Sequence, residues 1–320
     1  MIVAATQEIL ARHQAKILED TGEQVYIYPS LEQIPQPIAD KTEILITYGI
    51  TLTKAEPQPL NLARFPKLCW IQILSAGLEG LPVSEIQKRG ILVTNAAGVH
   101  GAPMSEFVVY CMLHFSKDME RYQQLKKEKR YDRTKLVGEL EGLEVLIYGT
   151  GTIGQAVARM LTLFKVKVFG VNTTGRAVEP FIETYTLAQA ARKLATADYV
   201  ISLLPSTPKT RGFFSREYLA RMKNEAVFIS IGRGDVVDEQ SLVEMLQQGR
   251  LKGAALDVFE REPLPPESPL WDCEHLILTP HMSAKSIYYI DRCVDIFIQN
   301  LLAFRSGGSM LNVVDFARGY

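Results

Sequence analysis

Six short apolar runs, each separated from the next by room for a helix, constrain this chain more than any other feature. They occupy residues 144–149, 165–172, 198–205, 226–232, 253–259 and 275–281, with starts 21 to 33 residues apart. Unbroken hydrophobic runs, rather than strict alternation, suit strands covered on both faces. Gaps of this size hold one crossover helix each. Residues 151–164 carry Ile153, Val157, Met160, Leu161 and Phe164 at helical spacing. Residues 238–248 do the same with Leu242, Met245 and Leu246, and Gly249 follows where a helix commonly ends. The pattern predicts an α/β fold with a doubly wound parallel sheet.

A smaller alternation precedes it. Residues 2–5, 24–28, 43–48, 69–74 and 91–95 read as five parallel strands, the pattern of a flavodoxin-like α/β domain. Between the two alternations, Pro103 suits the first turn of a helix. Met104, Phe107, Val108, Val109, Cys111, Met112, Leu113 and Phe115 then make that helix apolar nearly all round. Such a helix is expected to be buried, between domains or across a dimer interface. The mixed charges of residues 125–133 read as a solvated helix end. After His281, residues 287–304 form an amphipathic pattern and 311–316 (LNVVDF) can close a sheet edge. Residues 285–320 are therefore expected to rejoin 1–98, with 99–284 inserted as the larger domain.

Composition removes several classes of partner. The chain has 320 residues, about two domains' worth, and 35 basic against 36 acidic side chains give a net charge of -1. That balance offers no electrostatic reason for binding nucleic acid or an anionic membrane. No apolar run reaches the ~18 residues that span a bilayer, and MIVAATQEIL lacks a signal-peptide pattern, so a cytoplasmic protein is expected. Cys69, Cys111, Cys273 and Cys293 are far apart and form no CxxC pair, so no metal site is expected. Each thiol reads as a buried small hydrophobe.

The strongest local motif is GTGTIG: Gly149, Thr150, Gly151, Thr152, Ile153 and Gly154, directly after an expected strand and opening an expected helix. In this context Gly149 permits the tight turn, Gly151 the approach of a pyrophosphate, and Gly154 close helix–strand packing. The helix N-terminus adds amide donors and partial positive charge. This makes the larger domain a Rossmann-type dinucleotide binder. Eighteen residues after Gly154, the second strand ends at Asn172 rather than at an acid that would bind the ribose hydroxyls. Asn172, Thr173, Thr174 and Arg176 suit a 2′-phosphate better, with the Arg176 guanidinium forking onto its oxygens. NADP(H) is therefore expected in preference to NAD(H).

Ligands of a doubly wound sheet bind outside the carboxyl ends of its strands. There the sequence places Ile231 and Arg233, then Asp257 and Glu262, then His281, at the ends of the fourth, fifth and sixth expected strands. A single such polar residue is usually structural; four at successive strand ends suggest a site.

The chain resembles the D-isomer-specific 2-hydroxyacid dehydrogenases. The resemblance rests on GTGTIG, LLPSTPKTRGFF (203–214), IGRGDVVDEQSL (231–242), GAALDVFEREPL (253–264), LTPHMSA (278–284), LSAGLEGLP (74–82) and TNAAGVHGAPMSEF (94–107). It implies hydride exchange between a nicotinamide coenzyme and a small 2-keto or D-2-hydroxy acid. His281 would then be the acid and base, as imidazolium in the reductive direction. Glu262 would fix its tautomer and stabilise its charged form. Arg233 would clamp the carboxylate and polarise the carbonyl. Asp257 would orient the nicotinamide carboxamide, and Pro205 and Thr210 would line its ribose. Amides of Ser75, Ala76 and Gly77 would hold the remaining carboxylate oxygens, which makes residues 1–98 plus 285–320 the substrate-binding domain. A homodimer is also implied.

Two rivals stay open. One is a nucleotide-sensing binding protein like the corepressors of this family; the other is a phosphoglycerate dehydrogenase. Of the remaining candidates, His100 suits a capping or interface role, Trp271 could wall a substrate pocket, and His13, His114 and His275 have no assigned role.

Overall fold

Each of the eleven apolar runs forms a parallel strand in the computed structural model, which describes residues 1–49, 60–75, 77–78 and 81–316. The chain divides into two compact units, Met1–Val99 with Ser286–Tyr320, and His100–Lys285.

In the first unit the strands are β1 (Ile2–Ala5), β2 (Val25–Tyr28), β3 (Ile44–Thr47), β4 (Trp70–Ile73) and β5 (Leu92–Thr94). All pair in parallel, in the order β2-β1-β3-β4-β5. This is the flavodoxin-like order expected. Alternate residues feed two separate cores: Ile2, Ala4, Ile44, Ile46 and Trp70 on one face, Val3, Leu45, Ile71, Ile73 and Val93 on the other. The period of two is what a parallel strand buried on both sides requires. The closing segment joins this unit through the helix Tyr289–Ser306, whose Phe297 stacks on Trp70 at 5.3 Å between ring centroids. Val313 then bridges antiparallel to Thr94 at the β5 edge.

The second unit contains β6 (Glu144–Tyr148), β7 (Lys167–Val171), β8 (Glu183–Tyr185), β9 (Tyr199–Ser202), β10 (Val227–Ser230), β11 (Gly253–Leu256) and β12 (Leu276–Leu278). Their order is β12-β11-β10-β9-β6-β7-β8, parallel throughout. The chain runs outward from β6 to β8 and then returns to β9 on the other side of β6. A topological switch point therefore lies between β6 and β9, directly above the glycine loop. Both faces are covered here too: Leu146, Tyr148, Val200 and Phe228 face one core, Val145, Ile147, Ile201 and Ile229 the other.

Two expectations need correction. β8 is a seventh strand that the apolar runs did not mark. Two thiols differ from the burial expected of all four: Cys69, which precedes β4 on the outward side of the chain, is exposed, and Cys273 is half-buried. The helix Gly101–Ser116 buries Met104, Val108, Cys111, Met112 and Phe115 within the second unit's core, as its apolar pattern suggested, and leaves Tyr110 53% exposed in the single chain. No helix among the described residues is long and apolar enough to cross a membrane.

Candidate active site

The carboxyl edge of the seven-stranded sheet is aligned residue by residue. Tyr148, Ser202, Ser230, Leu256 and Leu278 stand in register across β6, β9, β10, β11 and β12. Each following residue extends the ladder: the Leu203, Ile231, Asp257 and Thr279 amides donate to Tyr148, Ser202, Ser230 and Leu256 carbonyls at 2.9–3.1 Å. The glycine loop, Arg233, Asp257 and the segment bearing His281 thus leave the same edge.

Along that edge the glycine loop fits a dinucleotide. Gly149 has φ +113°, which side-chain-bearing residues rarely adopt. A Cβ on Gly154 would fall 1.9 Å from the Gly149 carbonyl oxygen, whereas Gly151 faces open space. The helix Thr152–Thr162 begins there, with Gly151 at its N-cap and Thr152 and Ile153 in its first turn, so free amides point outward. After β7, Asn172 accepts from the Thr174 amide at 3.1 Å and donates to the Arg176 carbonyl at 3.0 Å, folding residues 172–176 into a turn. Thr173 and Arg176 are exposed on that turn, and no carboxylate stands at the end of β7. The Thr210 hydroxyl donates to the Pro205 carbonyl and accepts from the Thr207 amide at 2.9 Å, which braces the 205–210 loop from within.

His281 and Glu262 are in contact. The imidazole Nδ1 lies 2.8 Å from Glu262 Oε2, and the two side chains are 48% and 37% exposed. The second carboxylate oxygen accepts the Phe259 amide at 3.0 Å, so the turn that carries Glu262 also orients it. Beside the pair opens a cleft of about 740 Å³ whose other walls include Phe259, Leu264, Trp271 and Leu278. Trp271 thus lines the cleft, its indole N–H held by the Pro265 carbonyl at 2.9 Å. Arg233 lies outside that lining; it is exposed on the loop after β10, with Nη1 donating to its neighbour's carbonyl, Gly232, at 2.8 Å.

Asp257 has a structural task that sequence reasoning missed. It is fully buried and accepts from the Thr279 hydroxyl at 2.6 Å and from the Met282 and Ser283 amides at 2.8 and 2.9 Å. The His281 amide donates to its main-chain carbonyl at 2.8 Å. These bonds hold His281 at φ +51°, an unfavourable backbone region for a residue with a Cβ. Asp257 therefore fixes the turn from which the imidazole projects.

His100 occupies the N-cap position of Gly101–Ser116 but makes no side-chain cap bond, contrary to the capping role considered for it. Burial, and then the positive charge of Arg233, pull its imidazole below the usual range, which favours the neutral ring. Nothing in the sequence linked it to Arg233, 133 positions later. His13 instead supports its own helix, accepting from the Leu10 amide and meeting Asp291, while His275 pairs with Glu120 at 2.7 Å. His114 Nε2 stands 3.5 Å from the same Glu120 carboxylate.

On the first unit, Ser75 and Gly77 follow β4, with the Ser75 hydroxyl donating to the Gly77 carbonyl at 3.2 Å. Ala76 lies outside the described residues. Burial pushes the Cys111 thiol up, and that of Cys293 up to about 12, which suits inert core residues. Among the described residues no group of His, Cys, Asp or Glu is placed to hold a metal ion.

Residues 109–283 match the family model for the D-isomer specific 2-hydroxyacid dehydrogenase NAD binding domain, more than half of the chain. The chain belongs to this family. The dehydrogenase is 32% identical over 285 residues to a glyoxylate reductase from Thermofilum pendens, covering 87% of this chain and 83% of the relative. It is 29% identical to a D-3-phosphoglycerate dehydrogenase from Methanocaldococcus jannaschii, covering 89% of this chain but 54% of that one. Among solved structures, an NADPH-dependent glyoxylate/hydroxypyruvate reductase from Sinorhizobium meliloti, in complex with NADP and sulfate, superposes with a TM-score of 0.77. It shares 28% identity and covers 100% of this chain and 99% of its own. The dehydrogenase is an NAD(P)-dependent 2-hydroxyacid oxidoreductase.

Proposed function

We propose that this dehydrogenase reduces a small 2-keto acid of the glyoxylate or hydroxypyruvate type to the D-2-hydroxy acid, with NADPH preferred. The observation that carries this reading is the 2.8 Å His281–Glu262 contact at the sheet edge that also bears the glycine loop. The bound nicotinamide supplies the hydride. His281, with Glu262 stabilising its charged form and holding its tautomer, donates the proton that the carbonyl oxygen requires. Arg233 binds the substrate carboxylate and draws charge toward the carbonyl oxygen. The first unit is assigned the substrate-binding role, with Ser75, Ala76 and Gly77 as its candidate residues. Asp257 positions His281 and orients the carboxamide, and Pro205, Thr210 and Ile231 line the coenzyme. A homodimer is part of the reading, supported by the exposed Tyr110 on the helix Gly101–Ser116 and by Tyr131 and Leu136, both over 90% exposed.

The coenzyme preference rests on the exposed Arg176 and the missing carboxylate after β7. kcat/KM for NADPH is expected to exceed that for NADH, and Arg176→Ala should lower the NADPH value about tenfold while leaving NADH little changed, the loss of one charge-assisted contact. Equal values in the unmodified enzyme would remove this part of the proposal.

Turnover with glyoxylate or hydroxypyruvate, followed by loss of NADPH absorbance, tests the function itself. Absence of turnover with every small 2-keto acid, together with tight NADPH binding, would favour the nucleotide-sensing alternative. Preference for 3-phosphohydroxypyruvate would favour the phosphoglycerate alternative.

A further inference from the structure

The segment after Arg233 touches the Glu262 turn at two points, neither of which serves the reaction directly. At Gly234 a Cβ would fall 1.9 Å from the Phe259 carbonyl carbon and 2.5 Å from the Glu260 nitrogen. Backbone there packs on backbone, three residues ahead of Glu262. Five residues further, Glu239 opens the helix Glu239–Gln247, and its Oε1 accepts the Glu260 amide at 2.7 Å. A carboxylate in a first turn ordinarily serves its own helix. Here Asp238 takes that task, accepting from the Ser241 amide at 3.0 Å, and Glu239 is turned to the neighbouring turn instead.

The bonds form a chain. Glu239 holds Glu260; the adjoining Phe259 amide holds Glu262 Oε1; and Glu262 Oε2 holds His281 Nδ1. We infer that Glu239 is a positioning residue, anchoring the turn that aims Glu262 at the imidazole. This rests on the proposed roles of His281 and Glu262.

The local charges agree with an anchor close to the pair. Burial, then the like charges of Glu260 and Glu262, raise the Glu239 carboxyl above its ordinary value, while the Glu260 amide opposes them. Glu239 therefore bears on the same turn through its hydrogen bond and through its field. Removing the side chain frees the Glu260 amide and lets the turn drift; a shift of about 1 Å at a reacting group can cost on the order of 100-fold in rate.

The test compares Glu239→Ala with Glu239→Gln, which keeps an accepting oxygen. Glu239→Ala is expected to lower kcat for keto-acid reduction on the order of tenfold and to move the pH midpoint of kcat downward. KM for the coenzyme should stay unchanged, and Glu239→Gln should recover most of kcat. The inference is overturned if the alanine variant keeps the unmodified kcat and midpoint. It is equally overturned if glutamine loses as much as alanine with the midpoint unmoved, since that describes general destabilisation. His281→Ala measured alongside separates the two levels: full activity in that variant removes the reading of the site itself, whatever Glu239 does.

Discussion

Replacing His281 by alanine is expected to lower kcat by about 100- to 10,000-fold, the usual contribution of a general acid, with coenzyme affinity nearly unchanged. The size follows from the lack of a substitute. Glu262 lies next to the imidazole, on its Nδ1 side, leaving Nε2 as the atom available to substrate. His100 is no ready substitute, because burial and then the positive charge of Arg233 hold its imidazole below the usual range. Stopped-flow reduction with saturating NADPH separates the proton-dependent step from binding. Coenzyme titration by fluorescence checks that the glycine loop still functions.

The second large effect belongs to Arg233. It stands in extended backbone after β10, exposed, with Nη1 donating to the Gly232 carbonyl of its own loop at 2.8 Å. Its guanidinium is thus available for a carboxylate. Arg233→Ala should raise KM for the keto acid and lower kcat by about 100- to 1,000-fold, as for loss of one group that stabilises developing oxyanion charge. Arg233→Lys should recover little, because an ammonium cannot form the two parallel bonds that a planar fork makes with a carboxylate. A pure KM effect, with kcat intact, would mean that Arg233 binds substrate without acting on the carbonyl.

Much of this arrangement was legible from residue type and spacing. Long apolar runs identify strands buried on both faces, because neither side needs a polar residue, and the two cores of alternating residues follow from that. Short edge elements do not carry this signal. β8 is Glu-Thr-Tyr, one exposed and two half-buried residues whose strand character comes from pairing with β7. The strand ends marked Arg233, Glu262 and His281 because polar groups at one sheet edge are unusual. The supporting bonds were not legible, since they join residues distant in sequence. Asp257 meets Thr279, Met282 and Ser283, 22 to 26 positions away, and Glu239 meets Glu260, 21 positions away. A sequence motif shows that an acid is present, not which amide it faces. Cys69 was misread for a related reason: its apolar neighbours Leu68 and Trp70 point inward, and alternation turns the thiol outward.

The most direct measurement is the pH dependence of reduction by the unmodified enzyme and by Glu262→Gln. Reduction consumes a proton from the imidazole, so kcat should be full at low pH and fall as pH rises through the group's titration; oxidation of the hydroxy acid should rise over the same interval. Glutamine removes the negative charge that favours the protonated ring, so both midpoints should move to lower pH together. Midpoints that stay in place would contradict the coupling of Glu262 to His281, and with it the assignment of this pair as the proton-transfer machinery.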